Sequence, residues 1–369
     1  ELKSDRIKLG KNSIADFHQS AILINGTKSH DQDLGYTLIR DSSHVGIEVS
    51  ERVERFMLRN AIFINISGIG VNIEGSLSKV GIENVEFVNC SSHSMSVKSQ
   101  ALEVEEITLT KVIVIGQGHG GSIHVEANFT RCLTVSHCYL NIGRNTGIVL
   151  KQSCLNNGRS MLTQNSTVIF TNNTLMQNDG VLLDLAVPDG ATINISNNYV
   201  SKNNPSNASA LFVLHGCDAT ESSWLSYSNS SLIIEGNLFT KNEANYAISI
   251  IGANQDVFVV VTRNMFLRNK NDGAVIFVQA SEAVQLFCNY FEDNFTPYGI
   301  ITDFTSMKGT VDWRDNCWIT KNDTNLFIST TAVKHGASVE PAVQANVEID
   351  KQTLSSFTSR CEESCDSPR

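Results

Sequence analysis

The sequence predicts an all-β chain: a single-stranded, right-handed parallel β-helix of about ten coils with capping ends. Three observations predict it. Short β-branched strands follow one another with no helical period. A motif built on asparagine recurs at steps of about 24 to 28 residues. The two longer steps, 35 residues before Asn173 and 39 before Asn237, place insertions between repeats, where a solenoid tolerates them.

The motif copies run along the chain as Asn60, Asn84, Asn173, Asn198, Asn237, Asn264, Asn289 and Asn316. In most, a large apolar residue follows two places later, as in Asn237-Leu238-Phe239. The second copy departs: Glu86 takes that place and Phe87 is displaced by one. Val112 and Cys138 stand where two further copies have lost the Asn. Alternating strands such as Leu232-Ile233-Ile234 precede each copy, and others such as Val275-Ile276-Phe277-Val278 follow it. The recurrent Asn is expected at a tight corner, tolerating left-handed φ and bonding the next coil through its amide. A second column five residues on comprises Asn65, Asn89, Asn178, Asn203, Asn242, Asn269 and Asn294. Three of these, Asn65, Asn89 and Asn294, also lie in glycan-acceptor patterns, so the column is expected to face outward or those sites to go unused. Leucine-rich repeats need denser Leu, propeller blades run to about 40 residues, and sandwiches lack a strict repeat. The expected divisions are an N-terminal cap over 1–45, the β-helix over 46–335, and a C-terminal cap with a polar tail over 336–369. Stacked at about 4.8 Å, ten coils make a rod of about 50 Å.

Composition narrows the function. A 41% apolar content supports a core, and 18% charged residues excludes a charge-rich disordered chain. The net charge of −10 argues against binding nucleic acid or a membrane surface. No apolar run reaches the roughly 18 residues that span a bilayer. The opening residues carry no signal core, so either a signal has been removed or, the favoured reading, the chain is an excerpt of a longer one.

Eleven of 36 asparagines occupy Asn-x-Ser/Thr patterns: Asn25, Asn65, Asn89, Asn128, Asn165, Asn172, Asn194, Asn207, Asn229, Asn294 and Asn322. Chance predicts about six. The excess points to a secreted, glycosylated ectodomain. The nine cysteines contain no Cys-x-x-Cys, which argues against a zinc ribbon or a redox dithiol. Cys132 with Cys154, and Cys288 with Cys317, are disulfide candidates from the repeat spacing. Cys361 and Cys365 in the tail are the others.

Signs of catalysis are sparse. Gly118-His119-Gly120 is similar to a polygalacturonase segment, but no Asp-Asp pair accompanies it. Asp179, Asp272, Asp293 and Asp303 fall at different repeat positions, and the histidines show no metal spacing. No catalytic residue, metal or cofactor is expected. The alternative reading is a carbohydrate-active enzyme, hydrolase or lyase, or a sugar-binding β-helix.

The segments Leu286-Phe287-Cys288-Asn289-Tyr290-Phe291, Tyr298-Gly299-Ile300 and Gly309-Thr310-Val311-Asp312-Trp313-Arg314-Asp315-Asn316-Cys317-Trp318 resemble β-helix stretches of the Bark beetle (Anakonda) family. Ile319 departs from the Gly that usually ends that family's turn. The resemblance covers about 46–345 and is specific only in its last third. It implies a glycosylated single-pass surface protein that organises junctions where three epithelial cells meet. The expected partners are other cell-surface proteins or a second copy of the chain, with a glycan as a further candidate.

Overall fold

The computed structural model describes residues 6–331 apart from 10–11, 25–28, 51–52, 75–76, 99–103, 117–122, 127–128, 142–146, 152–165, 188–189, 206–209, 217–229, 252–256, 280–282, 297, 304–310, 313–315 and 320–326. The described residues form strands and turns without a helix, and every strand pairing is parallel. The chain is a parallel β-helix.

Each coil carries three strands. One coil shows the plan: Thr192–Ser196 on a first face, Tyr199–Ser201 on a second, Ala210–Gly216 on a third. The third-face strands stack into one 12-stranded sheet, one strand per coil. The first and second faces share a 22-stranded sheet because Leu77–Val88 and Val104–Ile115 each run through both faces. Register is tight: Ile193 lies opposite Leu232, and Leu232 opposite Val259.

The ladders begin earlier than the boundary expected at residue 46. Arg6–Leu9 already pairs with Ser29–Gly35, and Asn12–Ala15 with Thr37–Ser42. Residues 6–49 therefore hold two coils ahead of the ten counted from the motif. The sequence hid them because Tyr36-Thr37 replaces the Asn pattern at that corner. The tail expected over 336–369 lies outside the described residues.

Strand alternation aims one set of side chains into the coil. The first face contributes Val168 and Phe170, Ile193 and Ile195, Leu232 and Ile234; the third contributes Ile248 and Ile250, Ile276 and Val278. On the second face the inner position holds Phe63, Phe87, Phe239, Phe266 and Phe291, all buried. Phe63 and Phe87 stack with centroids 4.8 Å apart, and Phe239, Phe266 and Phe291 stack at 5.0 Å. Each buried ring is worth about 2 to 3 kcal/mol over its exposed state. The early pair also dictates glycine at the turn into the third face. A Cβ on Gly70 would lie 2.5 Å from the Ser94 carbonyl oxygen and 2.7 Å from the Phe87 ring.

Candidate interaction surface

Two corners bracket the second face, and each is turned by one residue with left-handed φ. At the first corner these include Tyr36, Asn60, Asn84, Lys111, His137, Asn172, Asn197 and Arg263. At the second they include Asp41, Asn65, Asn89, Gln177, Lys202, Lys241, Arg268 and Asp293. The next residue points inward. The left-handed role and the ladder role thus belong to neighbouring residues.

Asn173, Asn198, Asn237, Asn264 and Asn289 take the inner place at the first corner and are buried; Asn316 continues the column. The backbone N–H and side-chain Nδ2 of Asn198 both donate to Oδ1 of Asn237, at 2.9 and 2.8 Å. Asn237 repeats this onto Asn264 at 3.0 and 2.9 Å. Nδ2 also reaches back: that of Asn237 donates to the Ile195 carbonyl at 2.9 Å. A parallel ladder links Asn178, Asn203, Asn242, Asn269 and Asn294 at the second corner.

Asn60 and Asn84 stand one place earlier than the ladder. They are the left-handed, outward residues, and Ala61 and Val85 fill the inner positions. Asn84 Nδ2 donates to Asn60 Oδ1 at 2.6 Å on the surface. The second column divides in the same way. Asn65 and Asn89 are exposed at the left-handed position, whereas Asn178 to Asn294 face inward, so of the two expectations for this column the outward one fails for these five. The displaced Phe87 was the sequence signal for this one-residue offset.

That geometry sorts the acceptor asparagines. Asn294 is buried, its Nδ2 donating to the Phe266 carbonyl at 2.7 Å, which leaves no room for a glycan. Asn65, Asn89 and Asn172 are exposed at corners, and Asn194 is half-buried on the outer side of the first face. Asn25, Asn128, Asn165, Asn207, Asn229 and Asn322 lie outside the described residues. So do Cys154, Cys361, Cys365 and His119. Cys132 is a free thiol, against the expected pairing with Cys154. Cys288 and Cys317 are disulfide-bonded cysteines. Burial pushes the Cys90 and Cys138 thiols up to about 12, keeping them protonated and unreactive.

The outer sides of the three faces differ. The first is ionic in its early coils and carries Ile169, Ile233, Phe258 and Val260 on its outer side later in the chain. Arg55 pairs with Asp31 at 3.1 Å, and Arg59 bridges Asp33 and Glu83 at 3.8 Å each. The third carries a His215–Asp184 contact of 2.9 Å and a His93–His124 edge contact at 5.7 Å. Desolvation, with His93 beside it, holds the His124 pKa below its usual value. Among the described residues no group of three or more His, Cys, Asp or Glu side chains is placed to hold a metal ion. Asp179 and Asp272 are exposed and Asp293 turns the second corner.

The second face is mostly apolar outside as well as inside, with Asn141, Thr174, Ser201 and Thr240 as its uncharged polar members. Its two outward columns contain Leu38, Ile62, Ile113, Tyr139, Tyr199, Leu238, Met265 and Tyr290, and beside them Ile64, Val88, Ile115, Met176 and Leu267. Ile62, Ile115, Tyr199 and Met265 remain 37 to 42% exposed. Only Arg40, Glu86 and Glu292 are charged in the described coils of these columns from coil 2 onward. Sequence reading missed this strip because Ile62-Phe63-Ile64 reads as one apolar run with no polar side to mark outward positions.

Comparison of the chain with protein-family models, curated proteins and solved structures finds no match.

Proposed function

We propose that this chain is a non-catalytic, extracellular β-helix module of a glycosylated plasma-membrane protein, acting in cell–cell adhesion and junction organisation through its elongated second face. The observation that carries the reading is the exposed apolar strip running along that face. Contiguous apolar surface of this extent marks a contact site in a soluble domain. The acceptor-site excess, the oxidised state of Cys288 and Cys317, and the resemblance to the Bark beetle family support an extracellular setting. Glycans at Asn65, Asn89, Asn172 and Asn194 would stand at the corners and on the first face, outside the strip.

The test is bead clustering with the chain secreted from a glycosylating cell line and coupled to two bead colours. Clustering that soluble chain competes away is the expected result. Met265→Arg combined with Ile115→Arg abolishes it. Thr134→Arg, on the outer side of the first face, leaves it intact. Equal clustering by all three proteins, each with native circular dichroism, overturns the assignment to the second face.

A further inference from the structure

We infer that the occupant of the second face is a second copy of this chain, laid across it antiparallel, coil 2 of one over coil 11 of the other. This rests on the reading of that face as the contact surface and names its partner.

Two flat faces can meet about a two-fold axis lying between them. If the axis follows the rod, each coil covers the same coil of its mate. If it follows the strands, the order of coils reverses while position along each strand is kept. With the twelve described coils centred on the axis, coil 2 then covers coil 11 and coil 3 covers coil 10. Charge selects between these. Arg40 sits in the second outward column of coil 2, and Glu292 in the same column of coil 11. The antiparallel arrangement sets Arg40 over Glu292 of the second copy, and symmetry makes the pair twice. The parallel arrangement sets Arg40 over Leu38. Within the chain the ionic contacts of both charges are long, Arg40 to Asp41 at 3.9 Å and Glu292 to Arg268 at 3.8 Å, and Glu292 also accepts the Tyr290 hydroxyl at 3.0 Å.

The register that pairs these charges is also the one with full overlap of the described coils. It lays Ile62 on Met265 and Ile113 on Tyr199, apolar on apolar. Twelve coils at about 4.8 Å by a strip about 12 to 15 Å wide give on the order of 700 to 850 Å² per copy, the size of a standard specific interface. No described acceptor asparagine lies in the two outward columns. Glu86 is the one charge left opposite an apolar residue, Leu238. An antiparallel pair of rods also suits molecules approaching from opposing surfaces.

Sedimentation equilibrium of the glycosylated chain tests this. The wild type is expected as a dimer. Arg40→Glu should raise its dissociation constant at least about tenfold, as should Glu292→Arg, and the double variant should recover wild-type affinity. Glu86→Leu should tighten the dimer. A monomeric wild type, or an Arg40→Glu loss that Glu292→Arg does not repair, overturns the antiparallel pairing. If such a chain still clusters beads and loses clustering with Met265→Arg and Ile115→Arg, the second face stands as a contact surface and its partner is a different protein. If clustering ignores that double variant too, the functional reading falls with it.

Discussion

The two halves of the rod turn the same corner by different means. In coils 3 to 5 the inner corner position holds Ala61, Val85 and Val112; coil 3 breaks between Val53–Arg59 and Ile62–Ile66, whereas in coils 4 and 5 the long strands Leu77–Val88 and Val104–Ile115 carry their register through the bend, Val85 opposite Val112. In coils 7 to 11 the strand breaks, as between Thr167–Thr171 and Thr174–Met176, and a buried Asn fills the gap. Its Oδ1 takes the backbone N–H that the break would strand. A buried polar backbone group must find a partner, and this coil has two solutions. Cys138 stands at the join. Its N–H donates to Asn173 Oδ1 at 2.9 Å, while its thiol points at the Leu109 carbonyl at 3.8 Å, the place an Asn would fill with Nδ2.

The sharpest way to break this comparison is to truncate one corner of each kind. Asn237→Ala removes the acceptor for two donors of Asn198 and leaves Asn264 Oδ1 without its side-chain donor. A loss of about 4 kcal/mol is expected in urea unfolding. Val85→Ala removes only packing and should cost about 2 kcal/mol. Equal losses would mean that the ladder adds nothing beyond filled volume.

Transplanting the amide gives smaller effects of opposite kind. Val85→Asn buries a carboxamide in an apolar corner and should cost about 3 kcal/mol. Cys138→Asn extends an existing ladder by one member and should lie within about 1 kcal/mol of wild type, on either side. A similar cost at both positions would show that the ladder cannot be lengthened. The smallest effect belongs to the outer row. Asn84→Gly keeps the left-handed corner and loses one surface hydrogen bond, so a change below about 0.5 kcal/mol is expected in the same unfolding measurement.

These contrasts also explain what the sequence reveals. The coil was legible because its inner residues recur at one spacing, and Asn237-Leu238-Phe239 is a register mark. Asn60 and Asn84 mislead because Asn suits two adjacent positions for two reasons: left-handed φ outside and amide bonding inside. Only the distance to Phe63 and Phe87, three residues instead of two, tells them apart. The apolar strip was illegible for another reason. Alternation distinguishes faces only when one of them is polar, and at Ile113-Val114-Ile115 neither is. The charges Arg40 and Glu292 lie some 250 residues apart in sequence, and only stacking places them in one column.

The asparagine ladder has a direction. Each Oδ1 in it receives from the coil before, and the backbone N–H and one Nδ2 hydrogen give to the coil after, while the other Nδ2 hydrogen returns to a carbonyl of the coil before. A coil added after another offers it an Oδ1 acceptor and one Nδ2 donor, and presents its own N–H and second Nδ2 hydrogen to the coil that follows. Translation supplies coils in that same order, N-terminal first. In the later half of this chain each turn thus presents two hydrogens to the Oδ1 of the turn that translation supplies after it.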